Sequence, residues 1–141
     1  MRIINTIFVL PLLLCGFAAP AQERGWVAYY PAVVELKGTL RTKRYYGPPN
    51  YGENPKTDAK ETALLLLLNQ PVNVRGNADP QEKFDRQSFR NVRRIQLVFT
   101  KPWKAYLGKT VLVKGTLFQA FTGHHRTDVL LDVQTIHVLK K

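Results

Sequence analysis

The sequence predicts an all-β domain. Three observations carry that prediction. Apolar and polar residues alternate in several short runs, glycine- and proline-rich segments separate the runs, and one glycine-centred strand pattern occurs twice. Alternation with period two puts every second side chain on one face, as in a strand half buried against a core.

Residues 1–21 are set aside first, because they read as an export signal. Arg2 supplies the positive start, and residues 3–14 are apolar apart from Asn5, Thr6 and Pro11. The run ends in Ala19-Pro20-Ala21, the small-x-small pattern of a cleavage site, so cleavage is expected between Ala21 and Gln22. A membrane-spanning helix needs about 20 apolar residues, more than this run supplies. Acylation at Cys15 ranks second, because the large Leu14 precedes the cysteine. The expectation is a periplasmic or secreted protein whose residues 22–141 form one domain. Cys15 is the only cysteine, so the exported portion has no disulfide and relies on its apolar core.

Residues 34–40 form the first predicted strand, with Val34, Leu36, Gly38 and Leu40 inward and Glu35, Lys37, Thr39 and Arg41 outward. Residues 45–55 follow as a loop rich in glycine, proline and asparagine. Residues 62–74 contain five unbroken leucines at 64–68. Leucine favours helix, and Thr57 and Asp58 are available as caps. Pro71 and the renewed alternation at Val72 and Val74 favour a strand covered on both faces, and a strand is expected. Residues 75–89 are a long polar connection. Residues 92–99 alternate again, with Ile95, Leu97 and Phe99 on one face. Residues 102–108 open with proline and close with glycine, the punctuation of a short helical turn. Residues 109–121 and 128–139 are the last two strands, joined by a turn at 122–126.

Residues 34–40 (VELKGTL) and 111–117 (VLVKGTL) agree at five of seven positions. A glycine in mid-strand marks a bulge or sharp bend, as at a barrel corner. Five strands, two of them bent, with a helical turn before the fourth, predict a small five-stranded OB-like β-barrel.

Lysine and arginine number 21 against 10 acidic residues, for a net charge of +11. This excess favours an acidic partner over a neutral one. The basic and aromatic residues gather in patches. Arg41, Lys43, Arg44, Tyr45 and Tyr46 lie together, followed by Tyr51. Arg90, Arg93 and Arg94 form a second group, and Lys101, Trp103, Lys104 and Tyr106 a third. Cationic surfaces edged with aromatic rings bind nucleic acids and sugars. Trp103 and Tyr106, at helical spacing, read better as plugs of the barrel end.

His124, His125 and Arg126 occupy the turn between the last two strands, which borders the binding face in OB folds. Zinc would need three or four ligands, and adjacent histidines in extended chain point apart. Asp128 adds a carboxylate, but Arg126 repels a cation, so no metal is expected there. Catalytic motifs are missing. Ser88 is the only serine, and no nucleophile elbow, phosphate loop or dinucleotide fingerprint occurs. The expectation is a non-enzymatic module needing no cofactor. It would bind an anionic or carbohydrate ligand or a partner protein through Arg41, Lys43, Arg44, Tyr45, Tyr46, Tyr51, His124, His125 and Arg126. An envelope inhibitor or interaction domain is the alternative. A metal-dependent activity at the His-His turn ranks lower, and nucleic acid ranks behind the other ligands.

Gly-Pro-Pro-Asn-Tyr at 47–51 and the stretch from Gly115 to Leu131, with its Gly-His-His turn, resemble an uncharacterised bacterial family, domain of unknown function 4431. The resemblance spans about residues 33–133. It implies secretion and a small β domain, and it implies no activity. This chain has Arg126 and Asp128 where the family pattern suggests histidine and proline.

Overall fold

A computed structural model describes residues 25–140. The expected export signal, its expected cleavage site and Cys15 lie outside the described residues. The described residues form six strands: β1 (Trp26–Ala28), β2 (Val33–Tyr46), β3 (Lys60–Arg75), β4 (Phe89–Val98), β5 (Thr110–Gln119) and β6 (Val129–Val138). A 3-10 turn, Lys104–Tyr106, stands between β4 and β5. Among the described residues no helix is long and apolar enough to cross a membrane.

The five long strands were legible in sequence; four run within a few residues of their expected spans, while β2 continues to Tyr46, past the expected end at Leu40 and into the segment expected as a loop. β1 was not expected. It adds to β3 in parallel, pairing Trp26 with Asn73 and Ala28 with Arg75. The pairing of the long strands closes a circuit. β2 pairs with β3 and β5, β5 with β6, β6 with β4 in parallel, and β4 with β3.

The inward faces meet in one core. Leu40, Leu66, Val74, Ile95, Val111, Val113 and Leu117 are completely buried, and Val34, Leu36 and Leu97 nearly so. Burying each such side chain contributes about 1.5–3 kcal/mol. Trp103 and Tyr106 pack on the edge of this core as expected of plugs. The leucine run is a strand, as expected, but it is not covered throughout. Leu64, Leu65 and Leu66 are buried while Leu67 is 40% exposed. Leu65 and Leu130 flank Gln96 in the register, on the face opposite the core, and both are buried there.

The two matching segments turn out to pair with each other. Val34 lies opposite Gly115, Leu36 opposite Val113, and Gly38 opposite Val111. Each glycine sits where β2 or β5 changes neighbour or register. β2 pairs with β5 up to Thr39 and with β3 from Gly38 onward. β5 shifts register against β6 between Lys114 and Gly115. A Cβ at Gly38 would collide with the Leu67 carbonyl oxygen, and one at Gly115 with the Asp132 carbonyl oxygen. Here glycine is required by the close approach of a neighbouring backbone.

Candidate functional site

Two connecting segments meet on one side of the sheet. The first, residues 47–59, joins β2 to β3. Its organiser is Asp58, a buried carboxylate. Asp58 accepts hydrogen bonds from the backbone amides of Asn50 (3.0 Å), Gly52 (2.7 Å) and Asn54 (3.2 Å) and from Asn50 Nδ2 (3.0 Å). Burial opposes ionisation of Asp58, but these donors outweigh it and hold the carboxyl below its usual range. The residue caps a loop, where the sequence offered it as a helix cap. The loop carries Tyr51 with φ of 53°, a left-handed conformation that bulky residues seldom adopt.

The second segment, residues 120–128, joins β5 to β6. Gln96 of β4 pins it. Its Oε1 accepts from the Arg126 amide (2.5 Å), its Nε2 donates to the His124 carbonyl (3.2 Å), and its amide donates to Thr127 Oγ1 (2.9 Å).

Glu61, at the start of β3 and opposite Tyr45, joins the two segments. Its Oε1 lies 2.7 Å from His124 Nδ1, and its Oε2 2.6 Å from an Arg126 Nη. The same guanidinium nitrogen donates to the Tyr46 carbonyl at 2.9 Å. The Arg126 guanidinium lies over the rings of Tyr45 (5.0 Å) and Tyr51 (5.7 Å), and Tyr51 meets the His124 ring edge-on. Burial opposes ionisation of Glu61, yet the hydrogen bonds and charges of Arg126 and His124 hold its carboxyl below the ordinary range. A cavity of about 350 Å³ opens beside Glu61, Thr62, Gln96, His124 and Arg126.

The structure therefore gathers Tyr45, Tyr46, Tyr51, His124 and Arg126 as the sequence proposed. Their charge is not free, however, because Glu61 is shared between His124 and Arg126. Sequence reasoning missed Glu61. Lys43 lies over the Tyr45 ring at 5.2 Å, and Arg44 lines a small cleft with Tyr46 and Lys60. Arg41 runs past Gly108, beside the 3-10 turn. The Tyr45 hydroxyl is buried without a hydrogen-bond partner among the described residues.

His124 and His125 diverge, as adjacent residues should. His125 Nδ1 accepts from the Phe121 amide (3.0 Å) and its ring packs edge-on against Phe118 and Phe121. Among the described residues no group of three or more His, Cys, Asp or Glu could hold a metal. An accepting Nδ1 requires the neutral ring. Burial, and secondarily the charge of His124, lower the His125 pKa. The folded state thus favours the neutral form. Its contribution is complete above the ordinary value of 6.5 and is lost as pH falls below it, through the lower folded value. Hydrogen exchange should show the protection factor of the Phe121 amide falling over that window, and His125→Asn should flatten the profile.

A cavity of about 480 Å³ is a groove between β4 and residues 126–129. Arg90, Arg93, Arg94 and Arg126 line it, with Asp128 as the single carboxylate in its wall. The groove exists because β4 pairs with β6 only from Gln96 onward, which leaves its earlier residues unpaired on that side. A bulge in the β3–β4 ladder and Asn91 at φ of 55° break the alternation of β4. Arg90, Arg93 and Arg94 consequently all reach solvent. The Arg90 guanidinium lies over the Trp26 ring at 5.0 Å, which fixes its direction.

Residues 94–137 match the family model described as a domain of unknown function (DUF4431). The match is narrower than the span the resemblance suggested. It begins at Arg94 in the groove, covers β5 and the whole of residues 120–128, and ends in β6. No curated protein and no solved structure matched the chain.

Proposed function

We propose that this protein is a binding module without catalytic function that holds an anionic ligand in the arginine-lined groove. The observation that carries the reading is an open groove lined by Arg90, Arg93 and Arg94 with Asp128 as the single carboxylate in its wall, Arg126 completing the wall while Glu61 holds its guanidinium. Guanidinium forks bind phosphate, sulfate and carboxylate groups in bidentate fashion, and several on one wall favour a ligand with repeated charges. Glu61 and Gln96 serve as positioning residues. They hold residues 120–128 so that Arg126 stands at the groove wall.

The architecture we propose is a five-stranded OB-like barrel with β1 as an added edge. The closed pairing circuit, the parallel β4–β6 pair and the 3-10 turn before β5 support it. In such barrels the connection between the last two strands borders the ligand, and that connection here supplies Arg126. The export-signal pattern of residues 1–21 supports placement in the periplasm or outside the cell.

The test is a binding titration of the protein with inorganic polyphosphate across a salt series. Affinity should fall steeply, with a log–log slope of roughly −2 to −4 for three or four contacts. Replacing Arg90, Arg93 and Arg94 together by glutamine should weaken binding about tenfold or more and flatten the slope. Lys37→Gln, on an exposed position of β2, should change little. Absence of binding at low salt would defeat the proposal.

A further inference from the structure

Four phenylalanine and histidine rings form a patch that the groove reading leaves unexplained. Phe84 and Phe121 are 65% and 67% exposed, unusual for rings of this size. Their centroids lie 6.5 Å apart, and Phe121 also meets Phe118 (6.1 Å) and His125 (4.7 Å). The patch is supported from beneath. Glu82 Oε1 accepts from the amides of Lys83 and Phe84, and Asp85 Oδ1 accepts from the Gln119 amide at 2.6 Å. Tyr29 anchors the same segment, its hydroxyl donating to the Gln87 carbonyl at 3.1 Å. Burial, then the charges of Asp85 and Asp128, raise the Tyr29 pKa and keep the phenol neutral.

The patch and the groove share their two walls. Residues 84–98 and 118–132 run side by side in the same direction. They are tied first at Asp85–Gln119, then at Gln96–Arg126, and then through the parallel β4–β6 ladder. The aromatic rings come from the first part of both segments, and the arginines from positions that follow in each. A ligand lying along this seam would meet flat apolar rings and then guanidinium groups.

We propose that the anionic ligand is a single strand of nucleic acid, its bases stacked on Phe84 and Phe121 and its phosphates held by Arg90, Arg93 and Arg94. This inference rests on the groove reading above and adds the identity of the ligand. A nucleic-acid strand carries one flat ring and one phosphate per unit, which suits both features at once. A sulfated sugar polymer would also supply the charges, but its puckered rings offer only C–H faces, whereas a base lays a flat π-face on Phe84 and Phe121. Sequence independence is expected, because every base has a π-face on which to stack.

The experiment compares two labelled strands of about 12 nucleotides, an oligothymidylate and an abasic oligomer with the same phosphates. Fluorescence anisotropy at low salt should show the oligothymidylate binding about tenfold tighter or more. The double variant Phe84→Ala, Phe121→Ala should remove that advantage while leaving abasic affinity unchanged. Both rings are exposed, so circular dichroism should find the variant folded. Equal affinity for the two strands, or an advantage that survives the double variant, overturns the nucleic-acid assignment while polyphosphate binding upholds the groove. Phe-dependent displacement of the strand by a sulfated polysaccharide at lower concentration also overturns it. Failure of every anion to bind removes the groove reading as well.

Discussion

Gly115→Ala is expected to destabilise the protein by about 3 kcal/mol, the upper part of the range for overpacked sites. The added methyl would strike the Asp132 carbonyl oxygen and stand 2.9 Å from the carbonyl carbon and 3.2 Å from Val133 Cα. All three are backbone atoms of β6, so no side-chain rotation relieves the clash. Relief requires β6 to move away from β5 at the register shift, where the ladder is already interrupted. Urea unfolding should show a lower midpoint with little change in slope. Lys114→Ala, one residue away and exposed, should stay within about 0.5 kcal/mol of the parent. Similar midpoints for both variants would mean that the close approach at Gly115 is not a constraint.

Glu61→Ala should cost about 1–3 kcal/mol, the usual penalty for removing one partner of a largely buried polar contact. The Arg126 side chain is only 12% exposed and would keep the Tyr46 carbonyl as acceptor while losing its counter-charge. The effect should depend on pH with a definite sign. Glu61 has a folded pKa below its ordinary 4.5. Its contribution is therefore fully present above that value and is lost as pH falls below it. The stability gap between parent and variant should narrow on acidification through this window. Binding should respond too, since the loosened residues 120–128 no longer hold Arg126 at the groove. A gap that is constant with pH would contradict the ionised Glu61 bridge.

The long strands could be read from sequence because each carries its own signal. Val34, Leu36 and Leu40, and Val111, Val113 and Leu117, are buried in strict alternation. Gly115 marks an irregularity of the β5–β6 ladder, and Gly38 the place where β2 passes from β5 to β3. β1 escaped notice for a physical reason. Three residues make no period, and its partner is a strand about fifty residues away, reached in parallel without a hairpin. β2 was read too short because residues 41–46 lie beyond the core and follow no apolar rhythm. They extend only because β3 continues opposite them to Lys60.

The site was partly legible. Tyr45, Tyr46, Tyr51, His124 and Arg126 were among nine residues named from basic–aromatic clustering and from the place of the last turn in an OB-like barrel, and these five do converge. Glu61 was invisible because nothing in the run Lys60-Glu61-Thr62 distinguishes a bridging carboxylate from a solvated one. Its role comes from register with Tyr45 and from a segment more than sixty residues away. Arg90, Arg93 and Arg94 were seen as a group but not tied to Arg126, because a bulge and a delayed pairing create their groove. Phe84 was passed over inside a polar connection, and only its contact with Phe121 gives it significance.

β6 is the strand that pairs directly with both β5 and β4, and it follows the other five described strands in the chain. Until those ten residues arrive, two edges stand open on a chain rich in leucine and valine, the situation in which strands recruit copies of themselves. Synthesis halted before Val129 should yield an aggregating fragment, and a peptide covering β6, supplied in trans, should rescue its solubility.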